Sequence, residues 1–188
     1  MSEERSFVEA ARRAKLPELA QLGVRPFAYR YARSHSTREA LGLYRDEHAE
    51  DGPEVTIAGR VEAWRPKGKV VFGHVEDGEG RLQVYLRADA LGDAWALVQL
   101  LDLDDHIGVK GRLMRTRAGE VTVRATEVTL LSKSLKPLPR GKREVLEDGT
   151  VREHGGLADP EVRYRQRYAD LAVHPEVREV FRLRSRIV

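Results

Sequence analysis

The sequence contains no cysteine, which excludes disulfides and zinc–thiolate sites and suits a reducing compartment. It has no apolar run near the roughly twenty residues that a membrane span requires. Its opening, MSEERSFVEAARR, is charged and amphipathic and lacks the apolar stretch of a secretory signal. A large excess of one charge is also missing: 33 Lys and Arg stand against 30 Asp and Glu, a net charge of +3. That balance permits a nucleic-acid partner without demanding one, because local clustering matters more than the total. With 34 % charged and 41 % hydrophobic residues in 188, the expectation is a cytoplasmic globular protein with a highly solvated surface and no membrane contact.

Catalytic signatures are missing as well. Asp77-Gly78-Glu79-Gly80 contains a G-x-G pattern, but it joins two predicted strands and so lacks the helix N-terminus that would hold a pyrophosphate. There is no P-loop pattern. The histidines, at positions 35, 48, 74, 106, 154 and 174, show no metal-ligand spacing. Carboxylates are plentiful but unpaired. No catalytic, cofactor-binding or metal-ligating residue is assigned within this stretch, which reads as a binding module.

What is present is a change of period. Residues Ser2 to Leu22 read as helical, with Phe7, Val8, Ala11, Ala14 and Leu16 on one side, a break or restart expected near Pro17, and Gly23 as the stop. Ser36-Thr37-Arg38-Glu39 has capping-box spacing and opens a short helix ending around Tyr44. After the acidic stretch Asp46 to Glu54, the period becomes two. In VTIAGRVEAWR, Val55, Ile57, Gly59, Val61 and Ala63 point one way, and Thr56, Ala58, Arg60, Glu62 and Trp64 the other. A turn at Pro66-Lys67-Gly68 leads into KVVFGHVE, and Asp77 to Gly80 turns into RLQVYLR. A helical stretch from about Asp93 to Leu101 precedes HIGVKGRLMR and EVTVRATEVTLL. Three strands, a helix and two strands are the layout of a five-stranded OB-fold barrel, with another small antiparallel barrel or sandwich as the alternative. The fold class expected is α+β, mainly β. Its parts are an N-terminal helical region (1–52), the barrel (53–131), a linker with an insertion (132–158) and connecting helices (159–188).

Alternation also picks out a face. If Val71, Val75, Leu82, Val84 and Leu86 fill the core, then Val70, Phe72, His74, Arg81, Gln83 and Tyr85 point outward. An outward phenylalanine costs exposed apolar area unless something covers it. Beside Gln83, His74 and Arg81 it resembles a stacking platform with hydrogen-bonding neighbours, the arrangement that holds single-stranded bases. Trp64, Arg65, Lys67 and Lys69 in the adjoining loop would supply attraction for the backbone. The competing reading covers Phe72 with the N-terminal helix and leaves the basic residues as ordinary solvated charge.

The stretches AGRVEAWRPKGKVVFGHVEDGEGRLQVYL, GVKGRLMRTRAGEVTV, LLSKSLKPLP and VRYRQRYADLAVHPEVREVFRLRSRIV closely resemble the N-terminal part of bacterial lysyl-tRNA synthetases, from about Arg12 onward. The resemblance implies an anticodon-binding barrel followed by a class II catalytic domain. It implies that Phe72 stacks the central anticodon uracil, that Gln83 reads that base, that Glu120 reads another anticodon uracil, and that Arg65 contributes from the first-strand exit loop. Glu120 rests on the resemblance alone; by pattern it is an ordinary turn carboxylate. The implied partner is the anticodon loop of lysine tRNA. For the parent enzyme, ATP and Mg²⁺ as cofactors and a homodimer are implied, with no cofactor held by this stretch. An aspartyl or asparaginyl specificity would share the central-uracil reader but fits LKPLP and RYRQRYADL less well.

Two departures stand out. Trp64-Arg65 replaces the paired arginines of many relatives, so stacking would take over one contact. Arg140 to Gly156 reads as an insertion, expected as a hairpin around Asp148-Gly149. Further on, Asp159-Pro160-Glu161 and His174-Pro175-Glu176 read as helix starts. In VRYRQRYADL, Tyr164 and Tyr168 share one helix face, as do Arg163 and Arg167, and Glu161 can pair with Arg165. That pattern suits a joint between domains, with tyrosines packed across an interface and arginines bridging it. The final segment resembles the start of the first class II motif helix, so the 188 residues alone are expected to be inactive in acylation. A free-standing OB-fold RNA-binding protein without acylation activity is the alternative, and continuation of the gene into an F-R-x-E motif would separate the two.

Overall fold

The computed structural model describes residues 6–48, 51–145, 151–154 and 156–188. The chain divides into two compact units, Met1–Pro137 and Leu138–Val188. The first opens with helix α1, Phe7–Gln21, whose first turn is capped by Ser6: its Oγ accepts the Glu9 N–H at 3.2 Å. Pro17 lies inside this helix without breaking it. A proline costs about 3 kcal/mol in an exposed helix interior, but here tertiary anchors on both sides of it offset that cost. Arg12 donates to the carbonyl and hydroxyl of Ser134 at 3.1 and 3.2 Å, Lys15 Nζ reaches Asp102 at 2.7 Å, and Leu19 is fully buried. The buried face therefore runs through Glu9, Arg12 and Leu19, while Phe7 and Val8 are exposed. The helical period was legible; of the apolar side expected from it, Leu16 packs against the core while Phe7 and Val8 do not. Gly23, at φ 68°, stops the helix, and Val24 N–H returns to the Leu19 carbonyl at 2.9 Å.

Helix α2, Thr37–Leu43, carries the full capping box: Glu39 N–H donates to Ser36 Oγ at 3.2 Å and Ser36 N–H to Glu39 Oε2 at 2.8 Å. Its N-terminus is tied to the hairpin turn at Asp77. The Asp77 carboxylate accepts the Thr37 N–H and hydroxyl, each at 2.8 Å, and the N–H groups of Glu79 and Gly80 at 2.7 and 3.0 Å. The G-x-G loop thus folds around its own aspartate. Burial pushes this carboxyl up, but the Thr37, Glu79 and Gly80 donors outweigh it and hold it below the usual carboxylate range. Asp77→Asn is expected to lower stability by about 1–3 kcal/mol at neutral pH, since it weakens donors that are then left short of a partner. Because the folded pKa is depressed, the carboxylate stabilises the fold above its unfolded pKa and ceases to as pH falls through the folded value. The gap between wild type and variant in urea melts should therefore close below about pH 4. A gap constant down to pH 2 would contradict this role.

Five strands follow: β1 Glu54–Lys67, β2 Val70–Glu76, β3 Arg81–Arg87, β4 His106–Arg115 and β5 Val121–Ser132. They close into a barrel in the order β1-β2-β3-β5-β4, with β3 and β5 parallel and the other pairs antiparallel. Two short helices, α3 Ala88–Leu91 and α4 Trp95–Leu100, fill the connection between β3 and β4. This is the five-stranded OB-fold, mainly β with helices, that the element order implied. Val55, Ile57, Val61, Val71, Val75, Leu82, Val84, Leu86, Ile107, Val109, Leu113 and Val123 are at most 1 % exposed, so the alternation on β1 to β3 selects the true core. It fails in one place. Val61 pairs with Val75 but Ala63 with His74, so a bulge at Glu62 shifts the phase of β1.

The first unit extends to Pro137, beyond the expected barrel end at Leu131. Lys133 is wholly buried, and its Nζ donates to the Leu100 carbonyl, Asp102 Oδ2 and Asp105 Oδ2 at 2.8, 2.6 and 2.7 Å. Ser134 N–H donates to the second oxygen of Asp105 at 2.8 Å.

In the second unit, strands β6 Lys142–Val145 and β7 Val151–His154 pair antiparallel. The expected turn at Asp148-Gly149 lies outside the described residues. Helices α5 Pro160–Arg165, α6 Arg167–Val173 and α7 Pro175–Ile187 follow, and Asp159 caps α5 by accepting the Glu161 N–H at 2.8 Å. Gln166, at φ −110° and ψ 52°, separates α5 from α6. Tyr164 and Tyr168 therefore do not share the face of one continuous helix, as their spacing had implied. Glu161 pairs with Arg165 at 2.7 Å as expected. Arg163 and Arg167 both turn to the buried Asp170, which also binds His174 Nδ1 at 2.8 Å, and Arg167 lies over the Tyr164 and Phe181 rings. These arginines organise their own unit.

Candidate nucleic-acid interface

Strand register assembles the outer face. Phe72 on β2 pairs with Tyr85 on β3, Tyr85 with Arg124 on β5, and Arg65 on β1 with Phe72. One row of the sheet thus reads Arg65, Phe72, Tyr85, Arg124. Phe72 and Tyr85 stack with centroids 4.6 Å apart and planes at 25°, and both are half-buried. The side chain that Phe72 stacks on is its cross-strand partner, and its exposed part still offers an apolar surface. The adjacent row holds His74, Gln83 and Thr122.

In that second row, hydrogen bonds hold every polar group in place. Thr122 Oγ1 donates to Gln83 Oε1 at 2.8 Å, which orients the amide so that its Nε2 donates to Glu120 Oε2 at 2.5 Å. The other oxygen of Glu120 lies 2.8 Å from His74 Nε2. Glu120 is placed by the turn before β5: Thr116 N–H bonds the Glu120 carbonyl at 3.0 Å, and Glu120 N–H returns to Thr116 Oγ1 at 3.2 Å. His74 and Gln83 are 7 % and 6 % exposed. Both point outward as alternation requires, but Glu120 covers them, so neither is the open contact that the pattern alone suggested. A carboxylate that spans an amide and an imidazole can exchange either bond for a ligand's N–H without leaving its turn. A groove of about 640 Å³ opens here, lined by Phe72, Gln83, Tyr85, Met114, Glu120 and Arg124 among others.

Of the remaining expected residues, Arg65 is exposed beside Phe72. Arg81 lies beyond the Gln83 row and faces Glu62 at 3.6 Å. Trp64 requires correction. Downstream of the Glu62 bulge it pairs with Gly73 and packs against the core cluster, on the opposite face from Phe72. A Cβ at Gly73 would stand 2.6 Å from the Trp64 ring, so the indole occupies the space that glycine leaves. Gly73→Ala should displace it, costing about 1–3 kcal/mol by overpacking and shifting tryptophan emission to longer wavelength. Unchanged emission and stability would show that Trp64 is not held there.

Sequence reasoning missed Thr122 and Arg124 altogether and left Tyr85 unassigned. Alternation in VTVRA marks Thr122 and Arg124 as outward, but only the parallel pairing of β3 with β5 brings them beside Gln83 and Tyr85. It also missed that Glu120 closes over His74 and Gln83, a contact across 46 and 37 positions. Among the described residues, no group of three His, Asp or Glu side chains could hold a metal ion, and no helix is long and apolar enough to cross a membrane.

Residues 55–131 match the tRNA anti-codon family, an OB-fold nucleic acid binding domain. Over 182 residues the chain is 43 % identical to the lysine–tRNA ligase of Bacillus cytotoxicus, covering 94 % of this chain and 34 % of that relative. Identity is 44 % to the lysine–tRNA ligase of Listeria innocua and 41 % to that of Bacillus subtilis, with the same shares covered. The chain spans about a third of the length of the curated relatives it matches.

Proposed function

We propose that this chain recognises the anticodon loop of a lysine tRNA and does so as part of a lysine–tRNA ligase. The observation that carries the reading is the juxtaposition on one outer face of a stacked aromatic pair, Phe72 and Tyr85, with the Gln83–Glu120 hydrogen-bond pair. A flat apolar surface beside an amide and a carboxylate offers a pyrimidine both a stacking partner and donors and acceptors for its edge. Phe72 stacks the central uracil and Gln83 reads its edge. Glu120 reads a neighbouring uracil, whose N–H takes the place of a bond the carboxylate makes to Gln83 or His74. His74 then positions Glu120 instead of contacting the base directly. Arg65 and, further along the face, Arg81 attract the backbone. Trp64 acts from beneath the sheet, by supporting β2.

The match to a nucleic-acid-binding family and the identity to lysine–tRNA ligases support the same reading. In it, the parent enzyme is a cytoplasmic homodimer that joins lysine to its tRNA with ATP and Mg²⁺. The residues described here supply recognition and not acylation. The G-x-G loop is closed on Asp77 between two strands, so it presents no helix N-terminus to a pyrophosphate.

The test is binding of a labelled anticodon stem-loop of lysine tRNA at moderate salt, compared with one whose central uracil is changed to cytosine. Weakening by about tenfold or more is expected for the changed loop. Equal binding of both loops, sensitive only to salt, would reduce the barrel to a nonspecific basic surface.

A further inference from the structure

The groove beside Phe72 has a wall that base reading does not use. Arg115, Arg117 and Arg124 line it, and Arg112 is the cross-strand neighbour of Arg124. This concentrates positive charge that the chain's total of +3 conceals. In the free protein carboxylates pair with Arg112, Arg115 and Arg124. Asp46 Oδ1 lies 2.8 Å from Arg115 Nη2, and Asp51 Oδ1 lies 3.4 Å from Arg112 Nη1 and 3.5 Å from Arg124 Nη2. The Asp46 and Asp51 side chains are 78 % and 71 % exposed, and pairs so open to water add little to stability. They are placed there by the acidic stretch that leads into β1.

We propose that Arg112, Arg115 and Arg124 form a track for the phosphodiester backbone of the RNA whose base stacks on Phe72. Asp46 and Asp51 stand in the places of phosphate groups until that RNA arrives. The inference rests on the anticodon reading only for the identity of the RNA. Its geometry is independent: the row Phe72, Tyr85, Arg124, Arg112 crosses four neighbouring strands, so a strand leaving the aromatic pair meets the guanidiniums next. A guanidinium matches a phosphate with two parallel hydrogen bonds, so phosphates displace weakly held, solvent-exposed carboxylates.

The experiment measures stem-loop affinity of the full chain from 50 to 300 mM salt, for wild type, Arg115→Gln/Arg124→Gln and Asp46→Asn/Asp51→Asn. The arginine variant should bind at least tenfold more weakly at low salt, with a log–log salt slope shallower by about 1.5, the loss of two phosphate contacts. The aspartate variant should bind several-fold more tightly at low salt. Thermal melting separates binding from folding. An unchanged salt slope in the arginine variant overturns the track, as does an aspartate variant that loses stability without gaining affinity. Inorganic triphosphate is the competing probe. If it binds wild type as tightly as the stem-loop and loses this in the arginine variant, the wall is a polyphosphate site and the proposal fails. If wild type ignores the central base yet the slopes change as expected, the track stands and the anticodon reading falls.

Discussion

Replacing Lys133 with methionine is expected to destabilise the first unit by about 3–5 kcal/mol, the largest single effect anticipated for this chain. The Lys133 ammonium and the Asp105 carboxylate are both completely out of solvent. Within 3 Å the ammonium meets two carboxylates and a backbone carbonyl, so all its donors are used. Methionine fills much of the same volume, so packing changes little, while Asp105 is left as a buried charge without its counterion. The damage should spread, because Asp102 also holds Lys15 of α1 at 2.7 Å and Asp105 holds the Ser134 backbone on which Arg12 rests.

Acid supplies the control on this mechanism. Burial pushes the Asp105 carboxyl up even with Lys133 beside it, and without Lys133 only the Asp102 and Ser134 N–H groups oppose that. In the variant, a raised folded pKa means that protonation favours the folded state, so relative stability should recover as pH falls toward the unfolded value near 4. Asp102 in wild type behaves in the opposite sense. Burial pushes it up, but Lys133 and Lys15 outweigh this and hold it below the carboxylate range, so its contribution disappears in acid. Wild-type and variant melting curves should therefore converge at low pH. The double variant Lys133→Met/Asp105→Asn should recover part of the loss at neutral pH, because the amide carries no charge and its oxygen can still accept the Ser134 N–H. A single variant that melts within 3 °C of wild type at pH 7 would exclude the buried-charge account.

Phe72→Ala carries the second large effect, on binding. Truncating an aromatic that stacks a base costs about 1–3 kcal/mol, or about fivefold to more than a hundredfold in affinity. Discrimination against a changed central base should fall with it, because Gln83 can read an edge only when the ring plane is held. Tyr85→Ala is the informative companion. It removes the ring that supports Phe72 at 4.6 Å and should weaken binding less than loss of Phe72 itself. Phe72→Ala with reduced thermal stability but full RNA affinity and full discrimination would mean that the phenylalanine merely packs on Tyr85.

Local chemistry makes several features legible in the sequence. Two-residue alternation marks Val71, Val75, Leu82, Val84 and Leu86 as core and Phe72, Gln83 and Tyr85 as the opposite face, because a strand cannot turn one side chain without turning its neighbours. Ser36 and Glu39 announce the start of α2, and Asp159 with Pro160 the start of α5, because caps satisfy backbone donors within four residues. What failed was of one kind. The Glu62 bulge reverses the side on which Trp64 lies, Gln166 interrupts the helix that would have aligned Tyr164 with Tyr168, and α1 buries Arg12 and Leu19 instead of Phe7 and Val8. Each is a shift of phase that the local pattern does not announce; at Glu62 and in α1 it accompanies partners far along the chain, and at Gln166 the nearby pairs of Arg163 and Arg167 with Asp170.

The sequence by itself determined the order of elements, the barrel's inner and outer sets up to the Glu62 bulge and on β2 and β3, and the aromatic at the centre of the candidate face. All of these follow from backbone geometry and neighbours a few residues apart. Tertiary structure alone decided that Glu120 closes over Gln83 and His74, that Arg124 continues the row from Phe72, and that Lys133 is a buried ion and not part of a linker. The physical reason is that hydrogen bonds and ion pairs act over about 3 Å of space irrespective of separation along the chain. Which carboxylate meets which cation is settled only when the barrel closes.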